Sequence, residues 1–325
     1  MLKLSRFGRA VGIVALSLPL LAFKPANVEC IAPANPGGGW DFTCRTVGKL
    51  LQEENLLDEP VQVTNMAGGV GAVAYANVAS KRDSDPNLIV ATSTVGITQI
   101  AQGKYPAGVD AMRWIGMLGA DVGIVMVNND SPYTDLNSLL DALKNDPTSV
   151  VAGGSSNVGG WDHLRLLLLA RKAGISDDDL KKIRWVQYSG GSDAVTQLMG
   201  NHIGAVLTDI GEVAGFLESG DVRPLAVMSD DRLTAFQDIP TAKEQGLDVT
   251  GYNWRGFYMP GKVSDEEYNA WVDILGKLYQ SDAWQQEATA KGLTLIWRGG
   301  QDFDEFVRQS ERDMHDVSKA IGVIQ

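Results

Sequence analysis

Short apolar runs alternate with stretches of helical periodicity along most of the chain. Apolar residues recur at helical spacing most clearly over 164–171 and 195–199. The apolar runs predict strands over 28–32, 61–63, 88–91, 124–127, 149–152, 183–187, 205–207 and 225–227. Strands separated by helical stretches predict mostly parallel sheets with helices on both faces. The pattern therefore indicates an α/β fold.

One short motif occurs twice. Gly38-Gly39-Trp40-Asp41 returns as Gly159-Gly160-Trp161-Asp162, and each copy follows a predicted strand and leads into a predicted helix. The repeat is either a chance match of four residues or the mark of two lobes with equivalent strand–turn–helix elements. In open α/β sheets, ligands bind beyond the carboxyl ends of the strands, where such turns lie. Two facing turns would form a cleft.

Four glycine turns offer anion-binding chemistry without a cation. Backbone N–H groups at a helix start have no helical partner and carry the positive end of the helix dipole. Any one such turn is explained by ordinary helix entry or capping, but four of them, each between a strand and a helix, favour a carboxylate site. The turns are 36–39, 68–71, 153–156 and 189–192.

Composition narrows the class of protein. The 325 residues are 44% hydrophobic and 21% charged, which is ordinary for a globular protein and long enough for two lobes. The formal net charge of −12 argues against a nucleic-acid partner, because such partners require clustered positive charge.

The N-terminal segment predicts export. Lys3, Arg6 and Arg9 precede an uncharged apolar run over 10–22, the arrangement of a secretory signal peptide. The run is shorter than the roughly 20 residues that span a bilayer. We expect residues 1–26 to be removed on export to the periplasm; a membrane anchor or a buried N-terminal helix is the alternative.

Export changes the interpretation of the two cysteines. Cys30 and Cys44 flank the first glycine turn, and an oxidising compartment favours a disulfide between them. That bond would tie a strand to the helix that follows it. The alternative is two separately buried thiols.

Catalytic motifs are weak. Residues 69–74 fit the dinucleotide pattern G-x-G-x-x-A, but Ile89 stands where the ribose-binding acid belongs. Residues 190–194 miss the G-x-S-x-G nucleophile elbow, and His163, His202 and His315 are the only histidines. We expect no enzyme, no cofactor and no metal site; an exported hydrolase is the third hypothesis.

Six stretches, in order along the chain, resemble solute receptors of the tripartite tricarboxylate transporter class, also called Bug-type periplasmic binding proteins. The matching stretches are APANPGGGWD (32–41), NMAGGVG (65–71), GGSDA (190–194), RPLAV (223–227), IPTAKEQG (239–246) and NWRG (253–256). The sequence departs from the commonest pattern at Trp40, Trp161, Thr208-Asp209 and the cysteine pair. These departures leave the ligand open among citrate-like acids, C4-dicarboxylates and aromatic dicarboxylates.

The resemblance implies a monomeric, two-lobed periplasmic binding protein of the Venus-flytrap, type II-like kind. Lobe 1 would comprise 27–122 plus 250–325, and lobe 2 would comprise 123–249. The implied function is to bind a small organic di- or tricarboxylate and deliver it to a membrane permease. The alternative is a carboxylate-sensing periplasmic module of a two-component signalling system.

The resemblance also implies a ligand site. We expect Asp41 to brace its helix, and Trp254 and Arg255 to pack at the hinge. Trp161 either borders the ligand or lies in the lobe core. The expected ligand-binding residues are Gly38, Gly39, Trp40, Ser93, Thr94, Ser155, Ser156, Trp161, Gly190, Gly191, Thr208 and Asp209.

Overall fold

The computed structural model describes residues 23–37 and 39–325. The expected signal peptide falls almost wholly on residues 1–22, outside the described residues, and so does Gly38 of the first turn. Within the described ranges, no helix combines the length and the apolar character needed to cross a membrane.

Ten strands are formed by the described residues. They are β1 (Glu29–Ala32), β2 (Gln62–Asn65), β3 (Leu88–Ser93), β4 (Met112–Asn128), β5 (Val151–Gly154), β6 (Arg184–Gln187), β7 (Ala205–Asp209), β8 (Val222–Val227), β9 (Tyr252–Pro260) and β10 (Arg298–Gly299).

Eleven α-helices in the described ranges lie between and after these strands. They are α1 (Gly39–Glu53), α2 (Ala72–Lys81), α3 (Thr94–Ala101), α4 (Leu136–Asn145), α5 (Trp161–Lys172), α6 (Asp177–Leu180), α7 (Gly191–Met199), α8 (Ala214–Glu218), α9 (Asp265–Gln280), α10 (Asp282–Ala290) and α11 (Gln301–Ala320). Single 3₁₀ turns occur at Gly69–Gly71, Val109–Ala111, Ile210–Glu212, Thr234–Phe236 and Lys243–Gln245.

The strands form two mixed sheets. In the first sheet, β1 pairs in parallel with β2 and β3, while β9 runs antiparallel to β3 and β4, and β10 runs antiparallel to β4. In the second sheet, β5 pairs in parallel with β6 and β7, while β4 runs antiparallel to β7 and β8. Each sheet therefore contains three parallel strands, as the alternation predicts. The antiparallel pairs all involve β4 or β9.

Strand β4 belongs to both sheets. Its residues from Met112 to Val122 pair with β9, and its residues from Gly123 onward pair with β7 and β8. At the change of partner, the Gly123 N–H donates to the Gly251 carbonyl (2.9 Å), and the Gly123 carbonyl accepts from Met228 (2.7 Å). A Cβ at Gly123 would lie 2.9 Å from Nε of Arg165, so only glycine fits there. The sequence pattern predicted only the second half of β4 and missed β9.

Two clusters of buried side chains support the sheets. Helices α1, α9 and α10 cover one face of the first sheet with residues such as Leu51, Trp271 and Trp284. The two tryptophans donate their Nε1–H groups to the carbonyls of Pro86 (2.8 Å) and Leu118 (2.9 Å), so their burial leaves no polar atom unpaired. The other cluster runs through both sheets and includes buried residues of α3, α5 and α11.

The disulfide prediction is confirmed. Cys30 on β1 and Cys44 on α1 are bonded, with 5.8 Å between their Cα atoms, and both are buried. The bond fixes the helix that follows the first glycine turn against the first strand of the sheet. It therefore constrains the geometry of that turn.

Replacing Cys30 and Cys44 together by serine should lower the free energy of unfolding by about 3 kcal/mol in the chain-entropy account of a loop this size. Denaturant unfolding of the two proteins measures the difference. Reductant should destabilise the wild type and leave the double variant unchanged. A wild-type protein with two titratable thiols after unfolding without reductant would contradict the prediction.

Candidate ligand-binding cleft

The second copy of the repeated motif closes its own turn with an aspartate. Asp162 accepts hydrogen bonds from the backbone N–H groups of Ser155 (2.9 Å) and Ser156 (3.1 Å) and from the Ser155 hydroxyl (2.6 Å). The Ser156 hydroxyl oxygen in turn accepts from the N–H of Asp162 (3.0 Å) at the start of α5. These two N–H donors, which we expected to face a ligand, are occupied by a side chain of the protein.

The first copy is built in the same way. Asp41 accepts from the N–H of Gly37 (2.8 Å), from Nε of Arg45 (3.0 Å) and from Nδ2 of Asn65 (2.8 Å). The Arg45 hydrogen bond is the main cause that lowers the pKa of Asp41 to about 2. Asp41 therefore braces its helix, as predicted. The repeat marks two equivalent elements in which the aspartate of each motif accepts N–H groups from its own turn.

The two copies differ in the arginine that balances the aspartate. Arg45 is 54% exposed, whereas the side chain of Arg165 is completely buried. Arg165 donates to Asp162 (3.0 Å) and to Asp209, and its guanidinium lies 5.1 Å from the centre of the Trp161 ring. A buried arginine between two carboxylates stabilises only while all three partners are present.

Asp209 connects this arginine to the first sheet. Its second carboxylate oxygen accepts from Nδ2 of Asn253 (2.7 Å) on β9, and Asn253 accepts from Arg255 (3.1 Å). Asp121, beside them on β4, accepts from the N–H of Gly211 (3.1 Å). Burial, followed by the nearby charge of Asp209, raises the pKa of Asp121 to about 7. The point where the chain crosses between the sheets is thus a buried, mainly acidic polar network.

The glycine turn at 189–192 binds a carboxylate that the sequence analysis did not single out. The N–H of Gly191, at the start of α7, donates to Glu212, and the Thr208 hydroxyl donates to the same oxygen (3.3 Å). Two predicted ligand-binding residues, Gly191 and Thr208, therefore converge on one carboxylate oxygen. That carboxylate comes from the chain itself, and Gly190 caps the same helix.

A cavity of about 410 Å³ lies between α3 of the first sheet and the glycine turn at 153–156. Four predicted ligand-binding residues line it: Ser155, Ser156, Trp161 and Asp209. The other lining residues are Val70, Val95, Thr98, Gln99, Gln102, Lys104, Asn157, Gly159, Gly160, Asp162, Glu212 and Asn253. We call this space the cleft.

Trp40, Ser93, Gly39 and Thr94 are described by the structure but do not line the cleft. Trp40 donates its Nε1–H to the Ser93 hydroxyl (3.2 Å). The Trp40 ring packs close to Gly71, where an added Cβ would lie 3.5 Å from it. Gly71 follows Val70, which lines the cleft. Gly39 begins α1 and is exposed.

The Thr94 side chain is fixed to β9. Its hydroxyl donates to the Tyr252 carbonyl (2.6 Å) and accepts from the N–H of Trp254 (3.3 Å). Trp254 is buried and packs edge-on against Phe303 at 5.0 Å.

A larger cavity of about 730 Å³ lies on another side of Trp161. It is bordered by α5, α11 and the segment 248–250, and no glycine turn reaches it. Its charged lining combines Arg171, Lys172 and Arg298 with Asp230, Asp248, Asp313 and Asp316. Of the described residues of the four glycine turns, none lines this cavity.

His163 serves the turn rather than chemistry. Its Nδ1 accepts from the N–H of Gly159 (3.0 Å), its ring lies 5.1 Å from that of Trp185, and burial lowers its pKa to about 4. A neutral imidazole therefore holds the second copy of the repeated motif. In the part of the chain that the structure describes, no group of histidine, cysteine and acidic residues is arranged to hold a metal ion.

Comparison with known proteins decides the family. The family model described as the tripartite tricarboxylate transporter family receptor matches residues 45–323. The chain belongs to this receptor family. A curated relative, protein BugT of Bordetella pertussis, is 28% identical over 302 residues, covering 90% of this chain and 89% of BugT.

Solved structures confirm the two-lobed α/β fold of periplasmic binding proteins. A TctC solute-binding protein from Polaromonas, solved without ligand, has a TM-score of 0.80 at 23% identity and covers 90% of this receptor and 97% of its own chain. MatC from Rhodopseudomonas palustris, solved with malate, has a TM-score of 0.62 at 17% identity. The match covers 90% of this receptor and 98% of MatC.

Sequence reasoning missed Arg165, Glu212, Asn253 and Lys104. Arg165 has the sequence context of a residue on the polar face of an amphipathic helix. The only local sign of its ion pair is its spacing of three residues from Asp162. Glu212 lies three residues after Thr208-Asp209, the strand end that the family resemblance marks. Its position just beyond that strand end is the signal that the sequence offers.

Replacing Arg165 by methionine should cost about 3–5 kcal/mol of folding stability, because Asp162 and Asp209 would remain buried without their cation. Arg45→Met, the equivalent change in the first motif, should cost less than about 1 kcal/mol, since the Arg45 side chain is 54% exposed and Asp41 keeps its hydrogen bonds from Gly37 and Asn65. Denaturant unfolding compares the two. Similar losses in both variants would contradict the assigned role of Arg165.

Asp121 should make the free energy of unfolding fall as pH rises. Its pKa is about 7 in the folded protein and about 3.9 in an unfolded chain. The folded state therefore holds more protons between these values and loses stability as they leave. Asp121→Asn should lack this component and exceed the wild type in stability above pH 7, measured by unfolding at several pH values. The exposed Asp141→Asn is the control, and a pH profile for Asp121→Asn matching the wild type would contradict the assignment.

Proposed function

We propose that this receptor is a periplasmic protein that binds a small organic di- or tricarboxylate in the cleft and delivers it to a membrane permease. The supporting observation is that three glycine turns at or beside the cleft each hold a carboxylate: Asp41, Asp162 and Glu212. The backbone here is thus arranged to receive carboxylate oxygens.

The cleft has the size and one cation that such a ligand needs. Its volume of about 410 Å³ falls in the usual range for small-molecule sites, roughly 300–1,000 Å³. Lys104 lines it from the side of the first sheet, and its ammonium group is held by the Gln102 side chain (2.6 Å). Gln102 also donates to the Gly159 carbonyl (2.6 Å), which joins the two walls.

We further propose that the ligand site comprises the residues expected from the sequence together with Lys104, Asn157 and Asn253. The lobes, 27–122 plus 250–325 and 123–249, would close on the ligand by bending near Gly123 and Gly251. The hydrogen bonds from Asn253 to Asp209 and from Gly211 to Asp121 cross this junction and would be the first to feel the bend.

A ligand screen tests the proposal. Malate, the acid held by the related MatC, citrate and an aromatic dicarboxylate are tested for a rise in melting temperature, beside sugars, amines and nucleotides. A true ligand at 100 times its dissociation constant should stabilise the folded protein by about 2.7 kcal/mol. Calorimetric titration then measures the affinity.

Two variants make the screen specific to the cleft. Lys104→Met should weaken binding of the best acid by about tenfold or more, because an ion pair and its hydrogen bond are lost. Lys49→Met, an exposed position on α1 away from the cleft, should bind like the wild type. Stabilisation by sugars or amines alone would reject the carboxylate class.

A further inference from the structure

The three turn carboxylates fall into two kinds. Asp41 and Asp162 lie on the helices that their own turns begin, and each is paired with an arginine, Arg45 or Arg165. Their negative charge is balanced locally. They are fixed parts of the fold.

Glu212 is of the other kind. It reaches the N-terminus of α7 from a separate segment 21 residues farther along, the 3₁₀ turn Ile210–Glu212 after β7. The charged groups that act most strongly on it are Asp209 and Asp162, both acids. Burial, assisted by these charges, raises its pKa. The Glu212 carboxylate lines the cleft and is exposed to solvent. Unlike Asp41 and Asp162, it forms no ion pair with an arginine among the described residues. Of the three turn carboxylates, it is therefore the most easily moved.

We propose that Glu212 is an internal competitor of the ligand: its side chain occupies the α7 amide and the Thr208 hydroxyl in the empty receptor, and a ligand carboxylate takes these donors by displacing it. The inference rests on the proposed function, since it assumes a carboxylate ligand in the cleft. It makes Glu212 a determinant of affinity and specificity.

The displacement has a thermodynamic consequence. A ligand that must first expel a bound side chain shows an affinity reduced by the fraction of molecules in which that side chain has left. Ligands whose carboxylate bonds to the Gly191 N–H more favourably than Glu212 does are selected. Weakly accepting solutes such as sugars are excluded by the same contact.

Calorimetric titration with malate and citrate tests this on the full receptor. Glu212→Ala should bind the better acid at least about tenfold more tightly than the wild type, since the competing charged hydrogen bond is gone. Glu212→Gln keeps an oxygen that can accept from Gly191 but loses the charge, so its gain should be smaller. Glu218→Ala, which removes an exposed acid from nearby α8, is the matched control and should stay within about twofold of the wild type.

The order of affinities separates the outcomes. Tighter binding in the order alanine, glutamine, wild type supports displacement. Equal gains in Glu212→Ala and Glu212→Gln would leave only repulsion between charges and overturn the proposal. Unchanged binding in Glu212→Ala would also overturn the proposal. Weaker binding in Glu212→Ala would overturn it too, because Glu212 would then be a contact of the ligand. If neither the wild type nor any variant binds a carboxylate, the proposed function fails as well. If the wild type binds a carboxylate but the order of affinities is not as expected, only the proposal that Glu212 competes with the ligand fails.

Discussion

The architecture depends on one buried cation. Arg165 is fully enclosed, and its two carboxylate partners each hold a different part of the molecule. Asp162 holds the glycine turn at 153–156, and Asp209 holds Asn253 of the first sheet. Because a buried arginine is tolerated only when it is paired and hydrogen-bonded, the positions of the turn, the strand end and the crossing strand are set together.

Glycine turns give the cleft its chemistry, but the chain uses several of their backbone donors itself. The N–H groups of Gly37, Ser155, Ser156 and Gly191 all donate to carboxylates of the same chain. A helix N-terminus attracts any nearby anion, whether it belongs to a ligand or to a side chain. An acidic protein with several such helix N-termini therefore has to control which of its own carboxylates reach them.

The parts of this molecule that depend on local sequence were predictable. The three-strand parallel core of each sheet, the disulfide between Cys30 and Cys44, and the bracing role of Asp41 follow from short-range pattern, compartment and helix-entry chemistry. Strand β9 and the first half of β4 were missed, since glycines at 116, 119, 123 and 256 interrupt their apolar runs. Those glycines are present because neighbouring backbone or side chains approach too closely for a Cβ.

The site was harder to predict than the fold for a physical reason. Thr208 and Gly191 could be marked as donors, but the acceptor that joins them, Glu212, is brought there by tertiary structure. Arg165 likewise resembles a surface residue of an amphipathic helix until the strand carrying Gly123 covers it. Long-range pairs of this kind leave little trace in a single sequence.

Strand β4 has a consequence for how the molecule unfolds. Its 17 residues supply a central strand to both sheets, so neither sheet retains its interior if the other loses that strand. The hydrophobic cluster that runs through both sheets adds to this dependence. The receptor is therefore a single cooperative unit despite its two halves, and a fragment that carries only one of them would lack the strand on which its own sheet is assembled.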